Sequence, residues 1–193
     1  MSSVLQTFGE RLFEKINDPF ARPFVCNGSP YDCSAFIVGI NAATRLGRFA
    51  EYWSHDSGFD WEKFKADYKS LGKKEGNRRP IEAISRGLNG ALETNVCAKP
   101  SRRSNELTDA DWSGSLLPFL FAELKPKVVF VHATRPIRYF EGVTGCRGVS
   151  MIPQKAEWLG HKFWLSGRPG ALYTLGTNEA FIYGQQLRSL EDL

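Results

Sequence analysis

Amides, arginines and one histidine follow the apolar runs of this sequence, at points where buried strands are predicted to end. Asn41 follows "SAFIVGI", Asn95 lies in "ALETNV", His132 ends "KVVFVH", and Arg168 follows "HKFWLS". Short apolar runs of this kind are typical of strands buried in a parallel sheet. Ligands of such sheets bind beyond the carboxyl ends of the strands, so we expect these side chains to share a site.

The chemistry of this set is recognition and electrostatics, since it contains no carboxylate pair, metal cluster or Ser/His/Asp set. An asparagine amide does not titrate near neutral pH, but its carbonyl can hold a water, and its donor and acceptor together can read the edge of a nucleobase. Arginines suit phosphates, and the aromatic run "RFAEYW" after Asn41 suits stacking on a base. The residues therefore indicate nucleotide or nucleic-acid chemistry.

Helical and strand patterns alternate along the chain. Helices are predicted over 3–17, within 61–71, and over 81–88, 108–124, 136–140 and 177–193, with strands over 34–40, 91–96, 127–132 and 161–166. A polar break, "KKEGNRRP", precedes the third helix. This alternation predicts an α/β fold. We expect a single domain over 1–193, with three layers, α/β/α, around a short, mainly parallel, four-stranded sheet.

The composition is that of an ordinary globular chain of 193 residues. Its 25 Lys and Arg against 21 Asp and Glu give a net charge of +4, which permits a nucleic-acid partner without requiring one. No apolar run approaches the ~18 residues of a membrane span, and the opening "MSSVLQTFGERLFEKI" predicts an amphipathic helix and not a signal peptide. The four cysteines form no C-x-x-C pair. We expect a cytoplasmic monomer without a metal or cofactor.

Three segments, in order, resemble motifs of the uracil-DNA glycosylase superfamily. "VGINAAT" is similar to the first motif of its mismatch-specific uracil/thymine branch, which reads Gly-Ile-Asn-Pro-Gly. "TNVCAKPSRRSNEL" resembles the second-strand segment, and "LKPKVVFVHATRPIRYF" resembles the next helix-to-strand turn. The likeness covers about residues 34–188. It implies a uracil-DNA glycosylase-like fold. It also implies an enzyme that hydrolyses the N-glycosidic bond of uracil in DNA.

The resemblance assigns roles to the residues at matching positions. Asn41 would position the attacking water, and the backbone N–H groups of Ile40 and Asn41 would meet uracil O2. Asn95 would read the edge of the base, and Phe49 or Tyr52 would stack on it. Each assignment has a structural alternative, because an asparagine can also bond the backbone locally and either aromatic ring can belong to the core.

A basic loop follows the second strand of the resemblance. Lys99, Arg102 and Arg103 are expected to face the DNA backbone, with a solvated run of charges as the alternative. The segment after the fourth strand offers Leu172 or Tyr173 as a wedge into the duplex. The predicted partner is uracil-containing DNA.

The chain departs from the family at two places. Two alanines replace the proline and glycine after the first motif's asparagine. At the fourth strand, "SGRPG" stands where relatives carry His-Pro-Ser or Asn-Pro-Ser, so we expect Ser166, Gly167 and Gly170 to contact DNA. Arg168 or His132 would then supply the charge that stabilises the departing base.

These departures keep other functions open. The enzyme could prefer another deaminated base, such as hypoxanthine or xanthine. It could also be a module that binds uracil or abasic DNA with little turnover. An unrelated Rossmann-like nucleotide binder is disfavoured, because no Gly-x-Gly-x-x-Gly follows the first strand.

Overall fold

The apolar runs of the sequence form the middle of a mostly parallel sheet in the computed structural model, which describes residues 3–72 and 76–192. The strands are β1 (Phe24–Val25), β2 (Ala35–Asn41), β3 (Trp53–Ser54), β4 (Gly58–Phe59), β5 (Leu92–Cys97), β6 (Val128–His132), β7 (Gln154–Trp158) and β8 (His161–Arg168). Six strands form the central sheet in the order β1-β5-β2-β6-β8-β7, and β3 and β4 form a separate pair.

The four strands predicted from the sequence are the four parallel strands in the middle of this sheet. β2 pairs in parallel with β5 and β6, and β6 pairs in parallel with β8. The prediction of a four-stranded sheet is wrong, because antiparallel strands β1 and β7 extend it at its edges. β1 has two residues, and β7 is largely exposed and partly charged, as edge strands are. Neither strand therefore shows an apolar run.

The helices are α1 (Val4–Phe13), α2 (Trp61–Ser70), α3 (Arg78–Gly87), α4 (Asp109–Trp112), α5 (Leu116–Leu124), α6 (Thr134–Thr144) and α7 (Thr177–Arg188). The helix predicted over 108–124 is two helices, because Ser-Gly-Ser at 113–115 interrupts it and glycine is a poor helix former. α3 begins inside the predicted polar break. Residues 73–75 of that break, and residue 193 of the predicted closing helix, lie outside the described residues.

Apolar side chains cover both faces of the sheet, as the alternation of side chains along a strand requires. On one face, Phe36 and Val129 belong to a cluster that includes residues of α1, α5 and α6. On the other face, Ile37 and Phe130 pack with residues of α3 and α7. The chain is therefore a single-domain α/β fold with helices on both faces of the sheet.

Helices α3 and α7 approach each other closely through two glycines. A Cβ atom on Gly87 would lie 2.3 Å from the carbonyl oxygen of Phe181, and one on Gly184 would lie 2.3 Å from that of Ile84. This packing fixes α3 against the sheet, with its first residue, Arg78, beside β5. Within residues 3–72 and 76–192, no helix has both the length and the apolar character needed to cross a membrane.

Candidate functional site

One cavity contains three of the side chains that the sequence predicts to form the site. Asn41, Asn95 and His132 line it, near the carboxyl ends of β2, β5 and β6. Its volume is about 190 Å³, far more than the ~10–15 Å³ that a single water requires. The structure thus brings together residues that are far apart in the sequence.

The register of the strands puts these side chains on one face of the sheet. Gly39 pairs with Asn95, and Asn41, two residues further along β2, points to the same face as Gly39. A Cβ atom on Gly39 would lie 2.7 Å from His132 Nε2 and 2.9 Å from Asn95 Oδ1. The missing side chain therefore lets two polar groups approach the backbone of the central strand.

Hydrogen bonds fix the orientation of the Asn41 amide. Its Nδ2 donates to the carbonyl oxygens of Ser101, at 2.7 Å, and of Ala42, at 3.2 Å. Because both partners are acceptors, the amide nitrogen must face them, which leaves Oδ1 free to accept a hydrogen bond. The Ile40 side chain packs against the apolar cluster on the opposite face, so its backbone is the part available to a ligand.

The polar groups of Asn95 and His132 have no hydrogen-bond partner among the described residues. Asn95 is 9% exposed. Burial lowers the pKa of His132 to about 4, and Arg78 also lowers it, whereas Glu93 raises it. At this pKa the His132 ring is neutral at pH 7, so it offers hydrogen-bonding nitrogens to the cavity.

Two arginines that the sequence analysis did not single out also line the cavity. The Arg78 side chain is 9% exposed and forms an ion pair with Glu93. The Arg22 guanidinium lies over the Phe64 ring, 5.6 Å from its centroid. Burial lowers the pKa of Arg22, but arginine stays protonated in proteins. With two guanidinium groups and the Glu93 carboxylate, these charged residues give the wall a net positive charge.

Edge strand β1 and helix α3 carry these arginines to the cavity. Because β1 runs antiparallel to β5, Arg22, two residues before β1, lies at the carboxyl end of β5, where its N–H donates to the Ala98 carbonyl at 2.9 Å. Arg78 is the first residue of α3. The sequence held one signal of this arrangement, since Glu93 is a charge within a buried strand and requires a partner.

Aromatic rings on α2 form another part of the cavity wall. Phe64 and Tyr68 line it, one helical turn apart, with ring centroids 6.1 Å from each other. Phe49 and Tyr52 are placed elsewhere: each is 3% exposed within the aromatic core, and neither lines this cavity. The spacing of the aromatic residues in the predicted helix 61–71 was the signal that could have identified the first pair.

Arg168 lies next to His132 in the sheet, but its side chain does not line this cavity. Its Nη2 donates to Thr174 Oγ1 at 3.0 Å, and its Nη1 lies 3.5 Å from the sulfur of Met151. The guanidinium is therefore held by the segment that follows β8. The strand end that differs most from the family pattern supplies no side chain to the cavity wall that the structure describes.

The residues around Arg168 divide into buried and exposed ones. Ser166 and Gly167 lie inside the fold, whereas Gly170 is exposed. Of the two residues considered as a wedge, Leu172 is buried and Tyr173 is 67% exposed. Gly170 and Tyr173 are thus the members of this group that a DNA strand could reach.

The basic loop lies beside the cavity, because it provides the carbonyl that fixes the Asn41 amide. Lys99, Arg102 and Arg103 are all exposed there. Lys99 forms an ion pair with Asp111 at 3.2 Å, a contact that is worth little at an exposed site. The loop presents positive charge at the carboxyl edge of the sheet.

Within the described ranges, no group of three or more His, Cys, Asp or Glu side chains could hold a metal ion. Comparison with known proteins gives no match, either to a protein-family model or to a curated protein.

Proposed function

We propose that this protein is a monofunctional DNA glycosylase that removes uracil from DNA and leaves an abasic site. The observation that carries the proposal is that Asn41 and Asn95 line one cavity. The side-chain Oδ1 of Asn41 and the side-chain amide of Asn95 are open to a ligand there. The motifs that resemble the uracil-DNA glycosylase superfamily support the same function, because both asparagines belong to them.

Asn95 selects the base in this proposal. Its amide donates to uracil O4 and accepts from uracil N3–H, whereas cytosine presents the opposite pattern at these two positions. The partly buried Tyr68 ring stacks on the base, with the buried Phe64 ring beside it in the cavity wall. The sequence predicted Phe49 or Tyr52 for this role. The base has to leave the helical stack first, since its glycosidic bond cannot be reached inside a duplex.

Asn41 holds the water that replaces the base. The bond between C1′ of the sugar and N1 of uracil breaks, and its electron pair leaves with the base. The sugar, which has oxocarbenium character, is attacked by the water on Asn41 Oδ1, and the proton lost by the water passes to the base or to solvent. The protein contributes preorganised dipoles and charges and no covalent intermediate.

The surface around the cavity suits a nucleic-acid strand. Arg102 and Arg103 present positive charge on one side, and Tyr173 projects from the segment after β8. Phosphate contacts of this kind give affinity without sequence preference. Tyr173 is the side chain that enters the space left by the extruded base.

A second candidate function is a module that binds uracil or abasic DNA with little turnover. The placement of Arg168 favours it, because the strand end that carries a catalytic group in the resembling family directs its guanidinium to Thr174 here.

Alkali-revealed cleavage of a labelled oligonucleotide with one uracil, single-stranded or opposite G or A, tests the proposal. We expect the wild type to produce abasic sites, and Asn41→Ala and Asn95→Ala to lose about 10²–10³ in rate, as for other preorganised groups. Duplexes with hypoxanthine or xanthine in the same position measure how far the activity extends to purines.

Asn27→Ala is the matched control, since Asn27 is an exposed asparagine outside this cavity and its rate should stay at the wild-type level. Tight binding of the uracil oligonucleotide without abasic product would favour the binding module. Neither binding nor cleavage of any damaged base would refute both functions.

A further inference from the structure

The strongest unexplained feature of the cavity is a pair of unsatisfied guanidinium donors. The Nη1 atoms of Arg22 and Arg78 are buried, and neither has a hydrogen-bond partner among the described residues. A buried charged donor without an acceptor is costly, so native proteins rarely keep one without a reason. Both residues line the cavity that holds Asn41 and Asn95.

The surroundings of Arg78 hold its guanidinium in place. Glu93 forms an ion pair with it, and the rings of Tyr68 and Trp61 lie 5.7 and 6.0 Å from it. The carboxylate therefore satisfies part of the group, while Nη1 is left over. Glu82 also lies 3.9 Å from Arg78 Nε, but its side chain is 38% exposed and does not line the cavity. Glu93 is therefore the only carboxylate in the described cavity wall beside the two guanidinium groups.

We infer that Arg22 and Arg78 make the cavity an anion receptor, in which they stabilise the negative charge that the base carries as it departs. The identity of the anion rests on the proposed function. The electron pair of the broken C1′–N1 bond is delocalised onto the base oxygens, and guanidinium N–H groups are the strongest donors for such oxygens. Arg168 does not provide this charge, because its guanidinium bonds Thr174 and does not line the cavity. His132 does not provide it either, because burial lowers its pKa.

The other features of the cavity favour a base anion over a phosphate. The flat rings of Phe64 and Tyr68 and the Asn95 amide suit a planar heterocycle with donors and acceptors at its edge. Phosphate groups have a separate, exposed partner in the loop that carries Arg102 and Arg103. The buried arginines are therefore assigned to the base.

Calorimetric titration with barbiturate and with uracil tests this inference without relying on turnover. Both are pyrimidine rings of similar shape, but barbiturate is an anion at neutral pH and uracil is neutral. We expect the wild type to bind barbiturate about tenfold or more tightly than uracil. Arg22→Gln should weaken barbiturate binding by about ten- to a hundredfold, as expected for hydrogen bonds to a charged group, and should change uracil binding much less.

Arg78→Gln alone leaves the Glu93 carboxylate unpaired in a buried site, which can destabilise the fold. The double variant Arg78→Gln/Glu93→Gln removes both charges and keeps two hydrogen-bonding amides, so it tests Arg78 in a stable background. Arg86→Gln, on the exposed side of the same helix, is the matched control and should bind both ligands as the wild type does.

Three results would overturn the inference: no preference for barbiturate, an equal loss of both ligands in the variants, or displacement of barbiturate by inorganic phosphate at similar concentration. The test is separate from that of the glycosylase. Arginine-dependent barbiturate binding without abasic product would leave the receptor standing and refute the enzyme. Abasic product together with barbiturate binding that does not depend on the arginines would support the enzyme and refute the receptor.

Discussion

The carboxyl edge of the sheet has two halves that differ in how their polar groups are used. At the ends of β5, β2 and β6, the Asn95 amide and the side-chain Oδ1 of Asn41 face a cavity and have no hydrogen-bond partner in the part of the chain that the structure describes. At the end of β8, Arg168 bonds Thr174, and its backbone carbonyl accepts from Ala133 at 3.0 Å. The first half has hydrogen-bonding capacity left for a ligand, whereas the Arg168 guanidinium of the second half is held within the fold.

In our proposal, this difference separates base recognition from strand contact. A buried polar group without a partner is rare in a folded protein, so a cluster of them is the more specific sign of a ligand site. A polar residue at a strand end is a less specific sign, because such a residue often forms hydrogen bonds within the fold, as Arg168 does. In our proposal the first half receives the base, and the second half presents Tyr173 to the strand.

Of the changes considered, a methyl group added to Gly39, in the first half, should have the largest effect on the rate of uracil release. In Gly39→Ala, the new methyl group would meet His132 Nε2 and Asn95 Oδ1, which lie at the ends of side chains that can move. We expect the fold to persist and the rate of uracil release to fall by about 10²-fold, because small displacements of positioning groups have effects of this size. The measurement is kcat/KM on a uracil oligonucleotide beside a thermal melt. Gly142→Ala, which meets no atom within 4 Å, is the control. A variant with full activity would contradict the site.

The partly buried histidine of the first half should make stability depend on pH. His132 has a pKa of about 4 in the folded protein against 6.5 ordinarily, so the unfolded chain binds the extra proton between these values. Stability should therefore fall as the pH drops from 6.5 towards 4, by about 2–3 kcal/mol from this group. Glu93 and Arg78 are the charged groups that act on the ring, the first raising its pKa and the second lowering it. Urea unfolding at pH 7 and pH 4.5 measures the loss, which His132→Gln should reduce. An unchanged pH dependence in the variant would refute a buried neutral ring.

The aromatic wall of the first half should contribute to affinity for the base. Replacing Tyr68 by leucine keeps an apolar side chain but removes the ring, and stacking on a base contributes about 1–3 kcal/mol. We expect barbiturate or uracil to bind about tenfold more weakly, as measured by calorimetry. Tyr139→Leu, another half-buried tyrosine but on α6, provides the comparison and should leave binding unchanged. Equal losses in the two variants would point to a general effect on the fold.

The smallest effect is expected in the second half. Arg168→Gln removes a guanidinium that bonds Thr174 and does not line the cavity, so uracil release should change less than about threefold. The same oligonucleotide assay measures it, with Arg22→Gln in parallel. A loss as large as that of Arg22→Gln would remove the distinction between the two halves and return Arg168 to the catalytic role considered from the sequence.

The sequence by itself determined the layered α/β fold and three residues of the cavity wall, Asn41, Asn95 and His132. Four apolar runs were sufficient to identify the parallel strands, because a strand buried on both faces has few polar positions. Asn41 and Asn95 could be predicted as a pair, since parallel strands end at the same edge of the sheet. The edge strands β1 and β7 were missed, because a short or half-exposed strand shows no such run.

Only the tertiary structure decided which charged and aromatic residues join the two asparagines. Arg22 reaches the cavity because β1 runs antiparallel to β5, and Arg78 reaches it because α3 packs closely on α7. Phe49 and Phe64 are both aromatic residues near charges in the sequence, and both are buried in the same apolar cluster, yet only Phe64 lines the cavity. The local spacing of apolar residues determines whether a segment has the periodicity of a helix or of a strand. The direction of strand pairing and the packing of helices are long-range interactions, which no local pattern contains.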